Sequence, residues 1–265
     1  MIQIVDSHCH LDFPQFGPDI EDVVQRADEA NVKRMVTICT KPTNINNSQT
    51  IAERFDPVCF AVGVHPHYAA SEPSVTAEQL IKFAEHPKMV AIGETGLDYH
   101  YTSETKDAQK SSLLVHIEAS RLTGLPLIIH SRNADADMGD ILASEHRNGP
   151  FSCVMHCFSS GSRLAELALD LGFYISMSGI VTFRNAEQLR SIFRSVPVDR
   201  ILVETDSPYL APAPWRGKRN EPAMVARVAS EGAKLCGLGE GEFAAVTTRN
   251  FNRLFAKGRL PAPAG

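Results

Sequence analysis

The chain carries His8-Cys9-His10 directly after a short apolar run, and later apolar runs also end in residues able to bind a metal. Side chains alternate along a strand, so His8 and His10 face one way and Cys9 the other. Neutral imidazole is the commonest metal ligand. Further on come Gly63-Val64-His65-Pro66-His67, Gly93-Glu94-Thr95-Gly96-Leu97-Asp98, His130-Ser131-Arg132, His156-Cys157-Phe158 and Glu204-Thr205-Asp206-Ser207-Pro208. Any one of these taken singly reads more readily as structural than as a ligand. So many His and carboxylate residues at the ends of successive apolar runs point instead to a metal centre.

The set suits two divalent ions. One could take His8, His10 and Asp206, and a second His130 and His156, with the two oxygens of Glu94 bridging them. Imidazole mixed with carboxylate fits Zn²⁺, Mn²⁺ or, less comfortably, Mg²⁺. Paired ions about 3.5–4 Å apart clamp the attacking and leaving oxygens of a displacement, with a metal-activated water as nucleophile. Asp206 is expected to orient or deprotonate that water, with Glu204 supporting from behind. His65 is expected to hold a further ion or to touch substrate. His67 is not expected to be a ligand, and His86, His116 and His146 need no function; His100, in the loop after the fourth strand, could face the mouth but reads more readily as structural. Arg132 matches the geometry of an anionic substrate. Arg216, Lys218 and Arg219 beside Trp215 could grip a phosphate or single-stranded nucleic acid, or form an ordinary solvated loop.

Residues so far apart in sequence need a scaffold that brings strand ends together. Apolar, β-branched runs predict eight strands near residues 2–5, 34–38, 58–64, 89–93, 126–129, 152–155, 173–177 and 200–203. Helical periodicity fills most intervals, as at 20–30, 110–123, 164–171 and 186–193, and residues 221–255 read as closing helices. Strands alternating with helices imply a parallel sheet. Eight such units predict a TIM-type (β/α)8 barrel of the α/β class, whose functional residues sit at the C-terminal strand ends. An open doubly wound sheet is the alternative, but the first strand lacks that class's Gly-rich turn. A single domain is expected over 1–256, with a frayed tail at 257–265.

The composition, 43% hydrophobic and 22% charged over 265 residues, is that of an ordinary globular protein with a full core. A net charge of −5 argues against a broadly basic nucleic-acid-binding surface, although bound cations can supply positive charge locally. Apolar stretches are strand-length and no signal peptide is evident, so a cytoplasmic protein is expected. The six cysteines lack a C-x-x-C pair and read as buried thiols. Nothing points to a membrane partner, and a monomer is favoured.

In combination and order, His8-Cys9-His10, Gly63–Pro66, Gly93–Tyr99, His156–Ser159, Glu204–Leu210 and Arg216–Pro222 resemble the TatD family of metal-dependent deoxyribonucleases, within the amidohydrolase-like barrels. The similarity spans about residues 4–255. It implies a first metal site of His8, His10, Glu94 and Asp206, and a second of Glu94, His130 and His156. His65 matches a position that reaches a further metal or the substrate phosphate in some relatives. The resemblance implies hydrolysis of DNA phosphodiester bonds, often exonucleolytic and Mg²⁺-dependent, on single strands or ends. Two departures bear on substrate preference: Asn133 where the family usually has Asp, and Ser159-Ser160-Gly161-Ser162 where it has Ser-Gly-Ser. Hydrolysis of an acyl bond, such as an aminoacyl-tRNA ester, amide or lactone, is the rival reaction. A non-catalytic metal-binding scaffold would have lost at least one ligand.

Overall fold

The computed structural model describes residues 3–72 and 75–260. Eight strands form one sheet in sequence order, each parallel to its neighbour. They are β1 (Ile4–Cys9), β2 (Val32–Cys39), β3 (Val58–Val62), β4 (Met89–Asp98), β5 (Leu127–Arg132), β6 (Cys153–Met155), β7 (Tyr174–Met177) and β8 (Ile201–Val203). Around them run α1 (Ile20–Glu29), α2 (Ile45–Arg54), α3 (Ala77–Phe83), α4 (Lys106–Thr123), α5 (Asp135–Asn148), α6 (Ser162–Asp170) and α7 (Glu187–Ser195), followed by α8 (Val225–Cys236) and α9 (Glu240–Leu254).

The sheet closes through the segment just past β8. The Asp206 amide donates to the His8 carbonyl at 2.9 Å, and the His10 amide to the Ser207 carbonyl at 2.8 Å. The fold is therefore a TIM-type (β/α)8 barrel. Among the described residues, no helix is long and apolar enough to cross a membrane.

Periodicity explains both layers. In α1, Ile20, Val23, Val24 and Ala27 share the buried face at steps of three and four, while Glu21, Asp22 and Gln25 face water. Full burial of such an aliphatic side chain contributes about 1.5–3 kcal/mol. A separate apolar cluster draws on every strand, including Val5, Val36, Ala61, Ala91, Ile128, Val154, Tyr174 and Leu202, and Phe251, Leu254 and Phe255 pack against it. Continuing two residues from Ile128, Val154 and Leu202 along the same face gives His130, His156 and Glu204. The same alternation that fills the barrel with apolar groups thus puts ligand-type groups at its mouth.

Two strands differ from their expected ends. β4 runs five residues past 93, and β5 reaches Arg132, so Glu94 and His130 lie within strands rather than after them. The β4–β5 register shifts between Gly93 and Thr95, which leaves Glu94 as the extra residue of a bulge. Bulges commonly re-aim a side chain beside an active site. At Gly96 (φ 143°) a Cβ would lie 2.0 Å from the His130 carbonyl oxygen, so only glycine lets β4 approach β5 there. The expected frayed tail is corrected in part. Ala256–Gly258 form a 3-10 turn and Leu260 is buried against the barrel cluster, while 261–265 and the Ile2 end of the first expected strand lie outside the described residues. All six cysteines are free.

Gly96→Ala should destabilise the fold, with about 1–3 kcal/mol lost to the backbone conformation alone and more to the clash with His130. Urea denaturation followed by circular dichroism measures this, and an unchanged midpoint would contradict the close approach of β4 and β5.

Candidate metal centre

Glu94 is the hub. Its Oε1 lies 2.9 Å from His156 Nε2, 3.0 Å from His130 Nδ1 and 3.6 Å from His65 Nε2, while its Oε2 lies 3.6 Å from His8 Nε2. Next to it, Asp206 Oδ1 lies 3.6 Å from His8 Nε2 and 3.3 Å from His10 Nε2, and those two nitrogens are 3.3 Å apart. Three overlapping groups of ligand-type atoms result: His8, His10 and Asp206; His8, Glu94 and His156; and His65, Glu94 and His130. Donor separations a little over 3 Å match the edges of a coordination polyhedron with bonds of about 2.0–2.2 Å. The residues present fit divalent ions.

Partners on the far side of the rings orient the nitrogens. His156 Nδ1 donates to Glu204 Oε1 at 3.1 Å, which turns its Nε2 toward Glu94. Glu204 also accepts the Cys157 amide. His130 Nε2 donates to Asp98 Oδ2 at 3.2 Å, leaving Nδ1 for the centre. His10 Nδ1 lies 3.3 Å from the Ile38 carbonyl, leaving Nε2 for the centre. Such outer partners fix the tautomer and raise ligand basicity. His65 is the exception: its Nδ1 accepts the His67 amide at 3.2 Å, so a neutral ring carries its proton on Nε2. Burial pushes the His65 pKa down to about 3, against the pull of Glu94.

The electrostatics follow from this packing. Burial would raise the Glu94 pKa, but His156, His65 and a hydrogen bond from His130 hold it well below the usual carboxylate range. Burial would likewise lower that of His156, but Glu94 and Glu204 raise it well above an ordinary imidazole. His8 goes the other way, lowered by burial and by the His156 ring stacked on it at 3.8 Å.

The sequence reading missed three supports. Asp98 is buried and takes His130, His67 (3.0 Å) and the amides of His100 and Tyr101. His67, though not among the ligand groups, thus stands in the same network. Asp6, its pKa pushed up to about 8 by burial, accepts both the Thr205 amide (2.9 Å) and hydroxyl (2.6 Å), tying β1 to the turn that carries Asp206. His116 of α4 accepts the Val64 amide at 3.0 Å and so holds the turn leading to His65. Even spacing from the ligands, Asp98 from Glu94 and Asp6 from His8, was the available signal for the first two.

A cavity of about 560 Å³ lies over the centre, with His10, His65, Glu94, His130, His156 and Asp206 in its walls. Phe13, Tyr68, Tyr101 and Tyr209 add aromatic surface, and Arg132 a cation. Among the described residues, none of the 215–219 loop lines this cavity. Arg216 lies 4.1 Å from the centroid of the Phe183 ring. The guanidinium of Arg219, expected to meet substrate, donates to Asp19 and to the Gln15 carbonyl and so pins the loop to the segment leading into α1.

Fold and site together define a barrel hydrolase of the metal-dependent kind. Residues 5–256 match the family model described as TatD related DNase. The chain is 48% identical over 256 residues to the uncharacterized metal-dependent hydrolase YcfH of Escherichia coli (strain K12), covering 95% of each. It is 33% identical over 261 residues, 94% of this chain and 98% of the other, to a protein of Erwinia tasmaniensis named 3'-5' ssDNA/RNA exonuclease TatD. The crystal structure of YJJV, a TatD homolog from Escherichia coli K12, superposes with a TM-score of 0.90 at 30% identity, covering 98% of this chain and 99% of that one. The chain belongs to the TatD family of metal-dependent hydrolases.

Glu204→Gln should weaken Mn²⁺ or Zn²⁺ binding by roughly tenfold to a hundredfold, because the His156 ring loses its anionic partner. Titration calorimetry on the purified variant reads this directly; wild-type affinity would remove Glu204 from the centre.

Proposed function

We propose that this chain hydrolyses phosphodiester bonds of single-stranded DNA, working from an end, with two divalent ions held by His8, His10, Glu94, His130, His156 and Asp206. The observation that carries the reading is one cavity whose walls combine His10, Glu94, His130, His156 and Asp206 with aromatic rings and Arg132. Aromatic faces stack nucleobases regardless of sequence, and a cation takes the backbone. Tyr101 and Tyr209 are 60% and 51% exposed, so their rings are open to stacking. The name carried by the Erwinia relative supports the same substrate class and a terminal mode of attack.

Zn²⁺, Mn²⁺ or Mg²⁺ held by these residues would supply Lewis acidity to a water and to the phosphoryl oxygens. The protein's own groups do the rest. Asp206 presents one oxygen to His8 and His10, and its other oxygen orients the attacking water and takes its proton. His65, neutral and protonated on Nε2, donates to a phosphoryl oxygen as charge builds there. Arg132 holds the substrate backbone at the cavity wall. Arg216 and Lys218, outside the cavity, would meet only a longer strand.

Glu94→Ala should abolish hydrolysis, because each ion loses a ligand; activity retained with full metal content would sink the bridging role. His65→Ala should lower kcat by about a hundredfold while elemental analysis shows the metal content of the wild type. A coupled loss of metal would make His65 a ligand instead. The function itself is tested by assaying metal-loaded protein side by side on single-stranded DNA, duplex DNA, RNA and aminoacyl-tRNA with Mg²⁺, Mn²⁺ and Zn²⁺. Cleavage of the acyl ester without any phosphodiester cleavage would replace this reading with the acyl one.

A further inference from the structure

A second recess, of about 440 Å³, opens beside the mouth between the loop after β5 and the loop after β6. Ser131, Arg132 and Asn133 form one wall, and Ser159 and Ser160 belong to the other. Ser131, Arg132 and Ser159 also line the cavity over the metal centre, so the two spaces are neighbours that share walls.

The chemistry of the two differs. The main cavity has aromatic walls, whereas the recess has none and offers hydroxyls, an amide and a guanidinium. A base would gain little there; a hydrated anion would find donors. The Arg132 guanidinium is held 4.6 Å from the Tyr101 ring centroid, and a stacked guanidinium still has edge N–H groups to offer an anion. The Ser131 hydroxyl oxygen is buried with no hydrogen-bond partner. Asp135 is the carboxylate at the recess, and it accepts the Gly161 amide at 2.8 Å, which engages it with the loop. Asn133 adopts φ 53°, a left-handed conformation that Asn tolerates, and contributes a neutral group where an Asp would repel phosphate.

We propose that this recess binds the phosphate next to the scissile one in a single-stranded polynucleotide. Arg132, Asn133, Ser159 and Ser160 then set a preference for chains over isolated phosphodiesters. The proposal rests on the phosphodiesterase reading and adds to it a second anion subsite.

The test uses metal-loaded full-length protein and single-stranded DNA oligonucleotides with one neutral methylphosphonate placed at successive linkages flanking the cleaved one. One flanking position should lower kcat/KM by about tenfold in the wild type, the size of one lost hydrogen bond to a charged group. The same substitution should cost Arg132→Ala much less, since its partner is already gone. Asn133→Asp, nearly isosteric and equally tolerant of the backbone conformation, should raise KM for the oligonucleotide more than for bis(4-nitrophenyl) phosphate. A flat methylphosphonate profile with normal cleavage would overturn the recess and leave the phosphodiesterase reading standing. Equal losses in wild type and Arg132→Ala would do the same. Failure to cleave any oligonucleotide with any of the metals would overturn both.

Discussion

A buried carboxylate facing four imidazoles is the constraint on which the rest of this structure depends. Glu94 sits in the barrel with His8, His65, His130 and His156 around its two oxygens. Taking a carboxylate out of water costs several kcal/mol unless opposite charge and hydrogen bonds offset it. Here the offset comes from imidazoles that are themselves buried, and two of these in turn need Glu204 behind His156 and Asp98 behind His130. Such an arrangement fits an apolar barrel only as a complete set. A divalent ion placed among the donors would relieve much of the remaining cost, which is the physical sense in which the fold is built for metal.

Delivering that set falls to two irregular pieces of backbone. The bulge in β4 turns Glu94 toward the centre, and glycine at position 96 lets the strand stay close to β5. On the opposite side, the segment after β8 closes onto β1, with Asp6 binding Thr205 and Asp206 in the left-handed region at φ 56°. The contacts that close the barrel thus also bring Asp206 to His8 and His10. A chain that fails to bring its last strand to its first has no complete site.

The outer cavity divides labour by polarity. Metal-type donors form the floor, aromatic rings the walls of the mouth, and a separate polar recess leads away past Arg132. The 215–219 loop, in sequence an inviting basic patch, is held elsewhere: Arg219 is bound to Asp19 and Arg216 lies over Phe183. A cation's availability depends on what it already touches, and that is invisible in a string of residues.

Alternation and helical spacing are local properties of the chain, so periodicity alone was enough to show the eight alternating units, the single barrel and the six candidate ligand residues in or just after its strands. The pairing of His8 and His10 on one face follows from a two-residue step. What only tertiary structure decided is everything that depends on a partner distant in sequence. Asp98 behind His130, Asp6 behind the Asp206 turn and Glu94 at the bulge arise from strand register. The tautomer of a neutral His65 arises from one backbone amide, that of His67. Sequence fixes which face each side chain takes along its own strand; only closure of the sheet fixes what stands opposite it.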